Sequence, residues 1–220
     1  MRLPLYILLT FLLGGKLLAQ ETDADLLTIK DRLDSIVSYK ATIRLEEDIS
    51  FIDMPPKEAE ISFEKGKRLE VTSKDFVLLP RRGLDLSLNG LFKYPFITVN
   101  REPTELSGRL YKTVNIIPTD DSADFSIALL YLDVEKRRVV GFDLTTKEEG
   151  MFRAKLDYDS PKDLLPSKAV ISFRVAKLKI PVNFMGKDTE IDRKKLREEG
   201  AGEGRVILSL SNYSIRLKGR

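Results

Sequence analysis

The chain has 220 residues and a formal net charge of +3, and it contains no cysteine, histidine or tryptophan. Without histidine and cysteine, Ser-His-Asp and Cys-His catalytic sites are excluded, as is every metal site built on imidazole or thiolate. Charged residues make up 32% of the chain and the two signs are interspersed, which indicates a solvated surface rather than a nucleic-acid-binding face. The composition therefore favours a binding protein with no catalytic residue, metal ligand or cofactor.

Residues 1–20 are typical of a secretory signal peptide. Arg2 precedes an apolar run from Leu3 to Leu13, and Leu18–Gln20 offers a cleavage site. An uncleaved anchor is the alternative, but a bilayer span needs about 20 apolar residues. We expect an exported protein of a bacterial envelope in which residues 21–220 form one domain. The lack of cysteine excludes both a lipid anchor and disulfides.

Residues 22–38 are predicted to form an amphipathic helix. Apolar residues recur there at helical spacing, namely Leu26, Ile29, Leu33, Ile36 and Val37. Thr22 followed by Asp25 resembles a capping pair. Because the apolar stripe is one-sided, the helix is expected to lie on another element.

From Tyr39 to Ile52 the apolar period changes to two, which predicts a long half-buried strand followed by a turn at Met54–Lys57. Residues 186–204 are polar and predict an exposed loop, with a short helix at Arg193–Glu199. Further strands are predicted at Ala59–Phe63, Leu69–Val71, Asp75–Leu79, Phe96–Val99, Leu110–Ile117, Phe125–Asp133, Val139–Thr145, Phe152–Tyr158, Ala169–Val175 and Val206–Leu217. Short strands separated by turn signals indicate an antiparallel barrel or sandwich.

The junction Asp31–Thr42 resembles the helix-to-first-strand junction of the periplasmic outer-membrane lipoprotein carrier (LolA-like) family, in which an Arg-Leu-Asp helix leads into a Ser-aromatic-x-Ala strand. The segment Leu129–Tyr158 is also similar, with strands of the Val139–Phe142 and Phe152–Leu156 types. The order of these motifs across most of residues 24–181 carries the resemblance.

The resemblance implies a mainly β (α+β) fold, a strongly curved antiparallel sheet forming an unclosed half-barrel, with N-terminal and lid helices covering its concave face. It also implies a monomeric carrier that binds lipoprotein acyl chains, or a related lipid, in an apolar cavity. Such a carrier moves its cargo from an inner-membrane exporter to an outer-membrane acceptor. The candidate cavity residues are Ile43, Leu45, Ile49, Phe51, Ile61, Phe63, Leu69, Val71, Phe76 and Leu78. The alternative is that these residues form a filled core.

Residues 81–95 are irregular and apolar, and the candidate lid residues there are Leu88, Leu91 and Phe92. A short packed helix is the alternative to a mobile lid. By the resemblance, Lys65 stands where an arginine helps to gate the lid. Lysine lacks the planar fork of donors that arginine has.

Two other functions stay open at the level of sequence. The first is an envelope regulatory or scaffolding protein on the same fold, which would bind a protein partner. The second is a hydrolase that uses carboxylates alone, with candidates in Glu46–Asp48 and in Asp120, Asp121 and Asp124. Neither carboxylate group has a metal-ligand spacing or a neighbouring base, so solvated surface is the favoured interpretation.

Overall fold

The structure is a computed structural model that describes residues 22–67, 69–73, 88–148, 150–160, 162–174, 188–192, 194–195 and 203–219. Its helices are α1 (Ala24–Asp34) and α2 (Leu88–Leu91). Its strands are β1 (Ile36–Asp48), β2 (Ile52–Asp53), β3 (Lys57–Glu64), β4 (Glu70–Thr72), β5 (Phe96–Leu106), β6 (Arg109–Pro118), β7 (Phe125–Asp133), β8 (Arg138–Thr146), β9 (Met151–Asp157), β10 (Lys168–Arg174), β11 (Glu190–Ile191) and β12 (Glu203–Leu217).

Ten of these strands form one antiparallel sheet in the order β4-β3-β1-β12-β10-β9-β8-β7-β6-β5. The last strand, β12, inserts between β1 and β10, so the first and last strands pair inside the sheet. Among the described strands, β4 and β5 each have a single neighbour in this sheet, so the sheet is not closed. The prediction of an unclosed antiparallel half-barrel is confirmed. Within the described ranges, no helix is long and apolar enough to cross a membrane.

Helix α1 is shorter than predicted. It is capped by Asp23, whose Oδ1 accepts the Leu26 N–H at 3.0 Å, so the predicted Thr22–Asp25 capping pair is wrong. The helix ends at Asp34, and Ile36 lies in β1 rather than in the helix. β-Branched Ile36 and Val37 favour the strand.

The first strand also ends earlier than predicted, at Asp48. The Glu47 carboxylate accepts the backbone N–H groups of Ile49 at 3.0 Å and Met54 at 3.1 Å, and this fixes a turn between them. Ile52 then pairs with Ile191 in the two-stranded sheet of β2 and β11. The turn at Met54–Lys57 was predicted one residue too long, because Lys57 begins β3.

The remaining strands lie close to their predicted positions, although β5 extends to Leu106 and β12 begins at Glu203. The polar stretch of residues 186–204 was predicted as a loop, yet it contains β11 and the start of β12. The predicted strand Asp75–Leu79 and most of the predicted helix Arg193–Glu199 lie outside the described residues.

Candidate functional site

One face of the sheet is apolar and faces the helices. In β1 the side chains of Tyr39, Ala41 and Leu45 are buried and that of Ile43 is partly buried, as the predicted alternation requires. Leu45 lies opposite Leu208 in β12, which continues the apolar row across the sheet.

Two groups of buried side chains fill this face. The first cluster joins Leu26, Ile29 and Leu33 of α1 and Leu88 and Leu91 of α2 to the sheet from β1 to β10. Burying each such side chain contributes about 1.5–3 kcal/mol, so α1 is held mainly by packing. The second cluster consists of Leu45, Ile49, Phe51, Ile52, Met54 and Ala59.

Four partly buried residues, Ile43, Val71, Phe173 and Leu208, pack against both clusters. We refer to these four residues as the apolar seam. They come from β1, β4, β10 and β12, so the seam crosses the half of the sheet that contains the β4 edge. Because its side chains keep part of their surface in water, the seam has apolar area left to bury.

The structure places eight of the ten candidate cavity residues on these clusters. Ile43 and Val71 lie in the apolar seam. The first cluster includes Ile61 and is packed against by Phe63 and Leu69; the second includes Leu45, Ile49 and Phe51. Phe76 and Leu78 lie outside the described residues.

The candidate lid residues lie on and just after α2. Leu88 and Leu91 are buried in the first cluster, and Phe92 is partly buried with its ring centroid 5.9 Å from that of Phe96. Next to α2, the depression bordered by Leu33, Leu88 and Tyr158 has no room for a water molecule. In this conformation α2 is a short packed helix.

Lys65 lies at the C-terminal end of α1. Its ammonium donates to the Asp34 backbone oxygen at 2.9 Å and to Asp34 Oδ1 at 3.0 Å. Burial opposes ionisation of Asp34, but hydrogen bonds from Lys30 and Lys65 hold the pKa of that carboxyl below its usual value. Lys65 thus joins the β3–β4 corner to the covering helix, and a cation there complements the helix dipole.

Two further cations fasten α1, and the sequence patterns did not indicate them. Lys112 on β6 lies 2.7 Å from Asp23 and 2.6 Å from Asp25 at the helix N-terminus. Arg32 in the last turn donates to the backbone oxygens of two loops. The Arg-Leu-Asp motif contains Arg32 and was the sequence feature that could have pointed to its role. No such feature marks Lys112, because its partners in α1 are 87 or more positions away in the chain.

Lys57 is a third cation that sequence reasoning missed. It is 3% exposed and makes an ion pair with Asp188. The Pro55-Pro56 pair suggested that Lys57 belongs to a turn. Lys57 precedes Ala59 by two residues and Ile61 by four. In a strand, this two-residue period places all three side chains on the same, apolar face.

The paired carboxylates form local contacts. Asp120 Oδ1 accepts the Ser122 N–H at 2.8 Å and its hydroxyl at 2.7 Å, and Asp124 accepts the Tyr94 hydroxyl at 3.3 Å. Glu47 holds the turn after β1. Over the described ranges, no group of three or more acidic side chains is arranged to hold a metal ion.

The structure is similar to that of a LolA superfamily protein from Nitrosomonas europaea, with a TM-score of 0.50 and 12% identity over 86% of this chain and 93% of that one. An outer membrane lipoprotein-sorting domain from Vibrio parahaemolyticus matches with a TM-score of 0.47 and 10% identity over 89% and 93%. MucB of Pseudomonas aeruginosa, solved with MucA, matches with a TM-score of 0.27 and 11% identity over 89% and 99%. No family model and no curated protein matches the sequence.

Of these three structures, the Nitrosomonas europaea protein alone reaches a TM-score of 0.50, and at 12% identity this similarity concerns the fold alone. This similarity of fold agrees with the open ten-stranded sheet and with the helices packed on its apolar face. The resemblance predicted from the junction and strand motifs is thereby confirmed at the level of fold. The chain has the fold of the LolA superfamily protein.

Proposed function

We propose that this chain is a periplasmic carrier that binds the acyl chains of lipoproteins, or of a related lipid, for transfer to the outer membrane. The apolar seam is the observation that supports it most strongly, because an apolar row on the β4 half of the sheet remains partly exposed beside two packed clusters. Residues 1–20 would be removed on export, and residues 21–220 would form the carrier domain.

The energetics favour an acyl chain as the ligand. Each buried methylene contributes about 0.8 kcal/mol, so a chain needs apolar surface and no specific polar group. The seam supplies this surface, and the candidate cavity residues on both sides of it would extend the contact. Binding therefore requires no catalytic side chain and no cofactor.

The depression beside α2 has no room for a water molecule, so a chain bound there would require α2 to move. Leu88, Leu91 and Phe92 would act as the lid by moving away from the first cluster. Lys65 would act as the gate through its contacts with Asp34. A carrier that opens on loading would remain a compact monomer between an inner-membrane exporter and an outer-membrane acceptor.

The experiment is native mass spectrometry of the protein purified without detergent from the periplasm of a Gram-negative host. A bound mass matching an acylated peptide or a phospholipid supports the carrier function. If the protein is free of ligand, and stays so after incubation with an acylated peptide, the proposal fails.

A regulatory protein on the same fold is the second candidate, and the edge strand β5 is where a partner strand could add to the sheet. However, a register shift between Arg101 and Thr104 interrupts this strand, and Pro103 lies within it. Such features protect an edge against pairing. Recovery of a membrane-bound regulator with the protein, without lipid transfer, would favour this second function.

A further inference from the structure

Lys57 is the one buried cation in the described part of the chain. It lies directly opposite Leu45, a member of the second cluster, and on the same sheet face as Ala59. Leu45 in turn lies opposite Leu208 of the apolar seam. Neighbouring strands are about 4.8 Å apart, so the backbone positions of Lys57 and Leu208 are separated by about 10 Å across the sheet.

The partner of Lys57 is Asp188, whose side chain is 54% exposed. The hydrogen bond from Lys57 holds the pKa of the Asp188 carboxyl below its usual value. The described segment 188–192 is joined to the rest of the fold by the short β2–β11 pairing and by the Asp192 N–H, which donates to the Phe51 oxygen at 2.9 Å.

This pair is asymmetric. The Lys57 side chain is buried and anchored on β3, and a buried charge without a partner is strongly disfavoured. The carboxylate reaches it from an exposed side chain on a neighbouring segment. An anionic oxygen from a ligand could therefore replace Asp188 without moving Lys57.

We propose that Lys57 binds the anionic headgroup, a phosphate or a carboxylate, of an amphiphile whose acyl chain lies along the apolar seam. Asp188 occupies the headgroup position when no cargo is bound. This inference rests on the proposed carrier function and narrows its cargo to anionic lipids.

Two probes that differ only in the phosphate test the inference, namely 1-lauroylglycerol 3-phosphate and 1-lauroylglycerol, titrated calorimetrically into the protein purified from the periplasm. We expect the phosphate-bearing probe to bind roughly tenfold more tightly. Lys57→Met should reduce its affinity to that of the neutral probe and leave the neutral probe unaffected. Lys155→Met, at an exposed position of β9, is the matched control and should change neither affinity.

Asp188→Asn provides the opposite change, because it removes the competing carboxylate and should strengthen binding of the phosphate-bearing probe alone. It also decides the matter if Lys57→Met does not fold, as judged by circular dichroism. Equal binding of both probes by the native protein would overturn the headgroup site while leaving the carrier function intact. The same conclusion would follow if Asp188→Asn bound the phosphate-bearing probe no more tightly than the native protein does.

Two further outcomes are distinguishable. If neither probe binds but an acylated peptide does, the headgroup site fails and the carrier function stands; if none of the three binds, both fail. If inorganic phosphate displaces the phosphate-bearing probe at equal concentration, Lys57 binds a free anion and the lipid assignment is overturned.

Discussion

Lys112 Nζ lies 2.7 Å from Asp23 Oδ2, so a single ammonium on β6 holds the residue that caps α1. Although burial opposes ionisation, hydrogen bonds from Lys112 and from the Leu26 N–H hold the pKa of the Asp23 carboxyl below its ordinary value of 3.8. The N-terminal end of the covering helix is thus fastened to the sheet half opposite the seam.

Asp23→Asn should lower the free energy of unfolding at pH 7 by about 1 kcal/mol, because asparagine keeps the cap but loses the charge interaction with Lys112. A carboxyl with a depressed folded-state pKa contributes stability above its unfolded-state pKa and loses it as the pH falls through the folded-state value. The difference in the free energy of unfolding between the native protein and Asp23→Asn should therefore be largest at pH 7 and should shrink below about pH 4. Urea unfolding at pH 7 and at pH 3 measures it.

Asp31→Asn is the control for this prediction, since Asp31 is exposed on the same helix. Its effect should stay below about 0.5 kcal/mol at both pH values. A difference between Asp23→Asn and the native protein that is the same at pH 3 and pH 7 would contradict the assignment.

Arg32 fastens the other end of α1 through four backbone oxygens. Nη1 donates to Lys136 at 2.7 Å and Arg137 at 3.1 Å, and Nη2 donates to Lys162 at 2.7 Å and Asp163 at 3.2 Å. Lysine has no planar fork and cannot serve both loops, so Arg32→Lys should lower the free energy of unfolding by about 1–2 kcal/mol. Chemical denaturation monitored by circular dichroism measures the change.

Arg44→Lys is the same substitution in an exposed ion pair, where Arg44 Nε lies 2.8 Å from Glu46 Oε1. Exposed pairs contribute little, so the stability of this variant should be indistinguishable from that of the native protein. Equal losses in the two variants would show that the backbone contacts of Arg32 carry no special weight.

Gly141 lies in the strand motif that contributed to the family resemblance, and the structure gives it a physical role. A Cβ at this position would lie 2.7 Å from the Ala154 backbone oxygen in the neighbouring strand. Gly141→Ala should therefore force β8 and β9 apart and destabilise the protein by about 1–3 kcal/mol. Gly66→Asn is the control, because Gly66 has a φ of 84° with nothing within 4 Å, and asparagine tolerates that conformation. A thermal melt in which Gly141→Ala is as stable as the native protein would contradict this role.

The elements that could be predicted from the sequence are those set by local alternation. The two-residue period in β1 and β3 depends on neighbouring residues alone, so the sequence predicts that Ala41 and Ile61 lie on the apolar faces of their strands, but not which face the helices cover. The early end of β1 was not readable, because the Glu47 carboxylate stops the strand by binding the Met54 N–H seven positions later. The β2–β11 pairing was missed since Ile52 and Ile191 are far apart in the chain.

The sequence predicts that the site is an apolar surface, but it does not predict which of its residues are fully buried and which remain partly exposed. Ile43 and Ile61 are equivalent in the sequence pattern, yet Ile61 is buried in the first cluster and Ile43 lies in the partly exposed seam. How far a helix covers a sheet depends on the position of its ends, and these are fixed here by the contacts of Asp23 and Arg32. The burial of Lys57 likewise depends on Asp188, which no local pattern connects to it.

Adjacent residues on β12 provide the sharpest test of the seam. Leu208 lies in the seam opposite Leu45, whereas Ile207 lies opposite Glu46 and has its side chain on the other sheet face. Leu208→Asn should reduce the affinity for a lauroylated peptide roughly tenfold, because a polar amide would have to be desolvated beside the acyl chain. Ile207→Asn introduces the same amide on the opposite face and should leave the affinity unchanged. Calorimetric titration of both variants, after circular dichroism has shown that each is folded, measures the difference. Equal affinities for the two variants would mean that the acyl chain does not lie on the seam.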